Sequence, residues 1–184
     1  MGYILLILGI VVFAGAHWIK RLAPEKRAAW GDKGKGVLSI LAILSVVLMV
    51  IGYRNAGFVN VWVPPAFMTH IANLLVLIGF WFFALSSING TMAAKVRHKQ
   101  LTGVKAWAVA HLLVNGDLAS IILFGGMLAW AVASVILINR SQRSWDRPTD
   151  VSVAKDVIAL VVGAVLYGIV AAVHTWLGYY PFPM

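Results

Sequence analysis

The sequence predicts an all-α, polytopic membrane protein: a single bundle of about six transmembrane helices forming one domain over residues 1–184. Three observations predict it. Hydrophobic residues make up 61% of the 184 and charged residues only 11%, outside the balance of a soluble domain. The apolar residues fall into runs of membrane-crossing length, a span needing roughly 20 residues for about 30 Å of hydrocarbon. Basic residues are concentrated in short segments between those runs and at their ends. Such a bundle uses nearly the whole length and leaves no room for a separate soluble catalytic domain.

The opening Met1-Gly2-Tyr3-Ile4 enters an apolar run without a basic lead, and Lys and Arg follow where a cleavage site would need small residues. That predicts a retained first span over residues 2–19, ended by Lys20-Arg21, rather than a removed signal peptide. A second span is predicted over 37–53, a third over 66–88 and a shorter fourth over 101–118. The fifth, over 119–138, is separated from the fourth only by the break at Asn115-Gly116-Asp117. The sixth covers 153–176. Gly2, Gly9, Gly15, Gly163 and Gly168 are positions that admit close packing of a helix or of a cofactor. No internal repeat or low-complexity segment accompanies them.

The formal charge of +9 is distributed by side. Lys20, Arg21, Lys26, Arg27, Lys33 and Lys35 follow the first span. Lys95, Arg97, Lys99 and Lys105 surround the join of the third and fourth, and Arg140, Arg143, Arg147 and Lys155 that of the fifth and sixth. The opposite side carries only Arg54. By the positive-inside rule these three loops face the cytoplasm and both termini the periplasm, in a bacterial inner membrane. Charge placed this way partners anionic lipid headgroups, which argues against nucleic-acid binding. Trp62, Trp176, Tyr179 and Tyr180 are expected at the outer boundary, and Trp18, Trp107 and Trp145 at the inner one, as interfacial anchors.

Cysteine is absent, so thiolate ligands, iron-sulfur clusters and disulfides are excluded. Any strong protein ligand to a metal must then be His, Met or an oxygen donor. His17 stands near the basic end of the first span. His111, eight residues past Gly103, is expected roughly 12 Å into the fourth, placing both in the inner half of the bundle. Two neutral imidazoles there suit the opposite faces of a haem iron, or else serve as hydrogen-bonded helix contacts. His70 and His174 form a second pair near the outer side, for a second cofactor or for polar helix contacts. Arg97, beside the surface residue His98, has the charge for a haem propionate, although topology alone also explains it. Asp117 lacks a basic loop around it, so it should face the interior, pair with Arg54 or another donor, or reach the aqueous boundary. With Asn115 it reads equally as a helix-end clasp or a substrate-facing pair. No nucleophile elbow, phosphate-binding glycine loop or paired carboxylate array is present.

His17, Arg97-His98 and above all the run Trp107-Ala108-Val109-Ala110-His111-Leu112-Leu113-Val114-Asn115-Gly116-Asp117, followed by Leu123-Phe124-Gly125-Gly126, give the chain its resemblance to the NnrU family across essentially its whole length. That resemblance implies a link to the pathway producing active nitrite and nitric oxide reductases. It also implies kinship with the fifteen-cis-zeta-carotene isomerases, membrane proteins that use haem b. By resemblance, His17 and His111 become the preferred axial pair, with Arg97, Asn115 and Asp117 as further cofactor-side candidates. A cysteine ligand switch cannot be carried over to this chain. Three functions follow: a haem-b accessory protein supporting denitrification, working beside respiratory or reductase-maturation proteins; a haem-dependent cis-trans isomerase of a long apolar polyene; and a non-haem membrane scaffold.

Overall fold

The computed structural model describes residues 1–182, so Pro183 and Met184, which close the predicted domain, lie outside the described residues. Among these residues the regular structure is helical, and β pairing is limited to two isolated bridges. The helices are α1 (Gly2–Leu22), α2 (Pro24–Ala29), α3 (Lys33–Arg54), α4 (Met68–Ala84), α5 (Lys99–Val114), α6 (Leu118–Ser141) and α7 (Val153–Trp176). A 3-10 turn at Thr91–Ala94 lies between α4 and α5.

Each of the six predicted spans coincides with one of these helices. Four of them, α1, α3, α6 and α7, are long and apolar enough to cross a membrane. The difference from six has local causes. Pro64 and Pro65 precede α4 and the turns at Ser86 to Gly90 follow it, which holds it to 17 residues. Helix α5 has 16 residues and carries Lys99, Gln100 and Lys105 in its first two turns.

The side chains are distributed inside out, as lipid demands. Large apolar residues such as Ile4, Val11, Ile40, Ile43, Val161 and Ile169 are exposed. The buried set is dominated by alanine, glycine and serine, including Ser45, Ala72, Ala108, Ala131 and Ala159. Hydrocarbon solvates leucine as well as a protein interior does, so helices associate through small residues that let backbones meet. The buried hydroxyls are satisfied on their own helices: Ser45 Oγ donates to the Ala42 carbonyl at 2.6 Å, and Ser134 Oγ to that of Trp130 at 2.7 Å. The chain is a helical, membrane-embedded protein.

The contacts divide the chain into two compact units. The first comprises residues 1–62 and 116–141, and the second residues 63–115 and 142–182 of those described.

In the first unit, α1 runs antiparallel to α3. Gly2, Leu6 and Gly9, spaced to fall on one helix face, meet Asn55, Gly52 and Met49. A Cβ on Gly9 would come within 2.8 Å of the Met49 nitrogen, and one on Gly52 within 2.7 Å of the Leu6 Cα. Helix α6 packs parallel to α1. Gly126 sits by Ile10, Trp18 Nε1 donates to Ser134 Oγ at 2.8 Å, and Arg21 donates to Ser141 Oγ at 2.9 Å. Gly15 has open space around it, so of the three glycines predicted for close packing in the first span only Gly2 and Gly9 are used that way.

In the second unit, α5 and α7 each pack antiparallel on α4. Gly103 abuts the Gly79 carbonyl, and Tyr167 donates to Asn73 Oδ1 at 3.1 Å. Gly163 lies against the backbone of Trp81, whereas Gly168 faces open space. Ala84, Leu85 and Ala159 form a small core beneath Trp81, Phe82, Ile88 and Met92. Helix α7 starts on the Ser152 hydroxyl, which accepts from the Lys155 N–H at 3.3 Å. It ends at Gly178, whose φ of 88° supplies the left-handed turn that glycine adopts at low cost.

Candidate functional site

The histidines share one local device. His17 Nδ1 lies 2.8 Å from the Phe13 carbonyl, His111 Nδ1 2.8 Å from that of Trp107, and His174 Nδ1 2.8 Å from that of Val170. Each carbonyl belongs to the residue four positions earlier. The carbonyl one turn back is the nearest backbone acceptor on a histidine's own helix face, and its second lone pair can take the ring N–H. A carbonyl can only accept, so Nδ1 carries the proton and Nε2 carries the lone pair. Metal-bound imidazoles adopt this tautomer, with the second nitrogen oriented by a backbone or carboxylate acceptor.

His17 belongs to the first unit and is exposed. Phe13 stacks on it with ring centroids 4.1 Å apart, and Trp130 from α6 meets it edge-on at 5.3 Å. His111 belongs to the second unit and is partly buried, with the Trp107 ring 5.1 Å away. Helix α5 ends at Val114, so His111 lies in its last turn. The antiparallel packing on α4 brings three histidines to one end of this unit: His70 in the first turn of α4, His111 in the last turn of α5 and His174 in the last turn of α7. The pairing of His174 with His70 expected from sequence therefore has a competitor in the same unit. No cluster of three or more His, Asp or Glu with metal-site geometry occurs among the described residues.

The acidic break between the fourth and fifth spans is a clasp within the first unit. Asp117 caps α6: its Oδ1 accepts the Ser120 N–H at 2.9 Å, and its Oδ2 accepts the Ser120 hydroxyl at 2.5 Å. Ser120 has one hydroxyl proton and gives it to Asp117, so the Tyr53 hydroxyl, 2.8 Å away, donates to Ser120 Oγ. An acid at a helix N-terminus is also favoured by the helix dipole. Ion pairs among the described residues join Lys35 to Asp32 and Lys155 to Asp150; of the donors expected for Asp117, the structure supplies Ser120 in place of Arg54. The Gly116 carbonyl accepts the N–H groups of Val61 and Trp62 at 2.8 and 3.1 Å, and Leu118 N donates to Val59 O. The loop after α3 is thereby laid along this break. Asn115, in the second unit, closes α5 by donating its amide to the His111 carbonyl at 2.8 Å. The Asn-Gly-Asp run thus serves two helix ends and one loop.

Arg97 is a strap. Its Nη2 donates to the Gln142 carbonyl at 2.5 Å and to the Ser144 carbonyl at 3.1 Å, holding the start of the segment between α6 and α7. Trp145 in that segment lies under the Arg147 guanidinium at 5.4 Å.

Two important residues escape a reading of the sequence. Asp156, in the first turn of α7, accepts the N–H and hydroxyl of Thr91 and the Met92 N–H, tying the 3-10 turn to α7. Its signal was its place four residues after the capping Ser152, where an acid suits a helix start. Trp130 lies mid-way along α6, and a tryptophan there instead of at a helix end was its signal.

The family model described as NnrU protein matches residues 5–181. The chain belongs to the NnrU family. No curated protein and no solved structure matches it. The NnrU match spans both units, with His17, Arg97, His111, Asn115 and Asp117 all inside it.

Proposed function

We propose that this NnrU chain is a haem-b-binding accessory protein of the bacterial inner membrane that supports the expression or maturation of nitrite and nitric oxide reductases. The observation that carries the haem part is the shared tautomer of His17 and His111, each with Nδ1 on a backbone carbonyl and Nε2 as the donor nitrogen. This donor chemistry fits an iron porphyrin, which when bound supplies one-electron redox chemistry. His17 and His111 are the residues that would hold it. Phe13 and Trp107 would orient the two imidazoles through their carbonyls, and the absence of cysteine rules out a thiolate alternative. The pathway assignment rests on family membership.

Oxidised and reduced absorption spectra of the purified protein with haem b test the reading. The wild type should give a stoichiometric low-spin spectrum. Removing groups that merely orient a metal ligand costs about 10–100-fold in affinity, so His17→Ala and His111→Ala should each lose at least that much or turn high-spin. His174→Ala should leave the spectrum intact. A low-spin spectrum that survives His17→Ala but not His174→Ala would move the second ligand to α7. Absence of specific binding by folded wild type would leave the scaffold reading, and turnover of a polyene by the loaded protein would favour the isomerase.

The orientation is testable separately because the chain has no cysteine, so one introduced thiol is a unique label. Basic residues at the ends of α1 and α6 and the start of α5 support periplasmic termini. In whole cells, a membrane-impermeant maleimide should label Gly57→Cys and spare Ser144→Cys; the reverse pattern would invert the topology.

A further inference from the structure

His17 is held by a wall from another helix. On its own helix, Phe13 supplies the carbonyl for Nδ1 and a ring at 4.1 Å. From α6, the Trp130 indole meets the imidazole at 5.3 Å and 77°, and Phe13 at 4.9 Å and 71°. The indole is itself anchored. The Trp130 carbonyl accepts the Ser134 hydroxyl, and Ser134 Oγ accepts the Trp18 indole N–H from the residue next to His17. This chain of contacts fixes the register of α1 against α6 at the level of the imidazole.

Trp130 is only 9% exposed, and its Nε1 is buried without a hydrogen-bond partner. Leaving a buried donor unpaired is costly, and a phenylalanine would pack there without that cost. Stability alone therefore does not account for the indole. Its breadth does, because it covers both the Phe13 ring and the imidazole edge.

We propose that Trp130 is the positioning residue for His17: its indole holds the imidazole with Nδ1 on the Phe13 carbonyl and Nε2 presented as the ligand nitrogen. The functional meaning rests on the haem reading, but the positioning exists before any haem arrives.

The full-length protein labelled with ¹⁵N-histidine in detergent provides the test, with the His17 Nδ1–H signal assigned by its loss in His17→Ala. In haem-free protein, Trp130→Leu should speed solvent exchange of that proton by about tenfold, as expected for a contact that resists local opening. Trp130→Phe should restore it to within about twofold, because the aromatic wall is kept. Should the leucine variant not accumulate, Trp130→Met supplies the flexible side chain instead. In haem-loaded protein, the largest electron paramagnetic g value should shift in Trp130→Leu and return towards wild type in Trp130→Phe. Unchanged exchange in both the leucine and methionine variants, or exchange in Trp130→Phe as fast as in Trp130→Leu, would overturn the assignment. If the wild type binds no haem the functional reading fails, while the exchange measurement still decides the role of Trp130.

Discussion

Gly52→Leu should prevent α1 from packing on α3. A Cβ at this position falls on the Leu6 nitrogen and within 2.7 Å of the Leu6 Cα, and a helix backbone cannot swing aside as a side chain can. The register leaves no room for a small slide, since a Cβ on Gly9 of the same α1 face would lie within 2.8 Å of both the Met49 nitrogen and the Ser45 carbonyl oxygen. Overpacking a fitted interior costs about 1–3 kcal/mol, and a contact between two backbones belongs at or beyond the upper limit. Expected is a loss of about 3 kcal/mol, read as a lower unfolding midpoint in detergent and reduced accumulation in membranes. Gly15→Leu is the matched control on the same helix: with open space around Gly15, it should stay within about 0.5 kcal/mol of wild type. Equal effects of the two substitutions would mean that α1 does not approach α3 through Gly52.

Gly116→Val should unfasten the loop that follows α3. A Cβ on Gly116 would strike the Trp62 carbonyl, with the carbonyl carbon at 2.8 Å and the indole Cδ1 at 3.1 Å. The φ of Gly116 is not positive, so the penalty is one of space and not of backbone conformation. Relief requires residues 59–62 to lift from the helix break, which would lose the bonds from Val61 and Trp62 to the Gly116 carbonyl and from Leu118 to Val59. Each such bond contributes about 1 kcal/mol net, so a total loss of about 3 kcal/mol is expected. Limited proteolysis should report it as new cleavage between α3 and α4 under conditions where the wild type resists. Persistence of the wild-type pattern would show that Gly116 tolerates a side chain.

The helices were legible because their limits are written in residues of strong local preference. Lys20-Arg21 with Pro24, the proline pair before α4 and the basic run before α5 set boundaries within a few positions. What sequence could not supply was the partnering of those helices. Spacing offered His70 with His174, and packing puts both at one end of one unit together with His111. The register that does so comes from backbone contacts such as Gly79 with Gly103 and from the Asn73–Tyr167 bond. Neither leaves a trace in periodicity. Of the candidate site residues, the motif around His111 was visible as a signature, and the geometry explains Asn115 and Asp117 as helix-end groups. Arg97 illustrates the opposite case. Its charge was equally compatible with a propionate or with topology, and only the fold discloses the two loop carbonyls that it grips.

The division of the chain carries a consequence for its manufacture. Each unit is discontinuous: α6 returns to complete the first after α4 and α5 have begun the second, and α7 completes the second last. No single cut in the polypeptide would release either unit intact. During synthesis, the α1–α3 hairpin can form as soon as both helices have entered the bilayer, but it must wait for α6 through the insertion of two helices that belong elsewhere. Until then the face of α1 bearing Phe13 and His17 lacks the Trp130 wall. The order of emergence from the ribosome therefore delays completion of the His17 environment until more than two-thirds of the chain has been made.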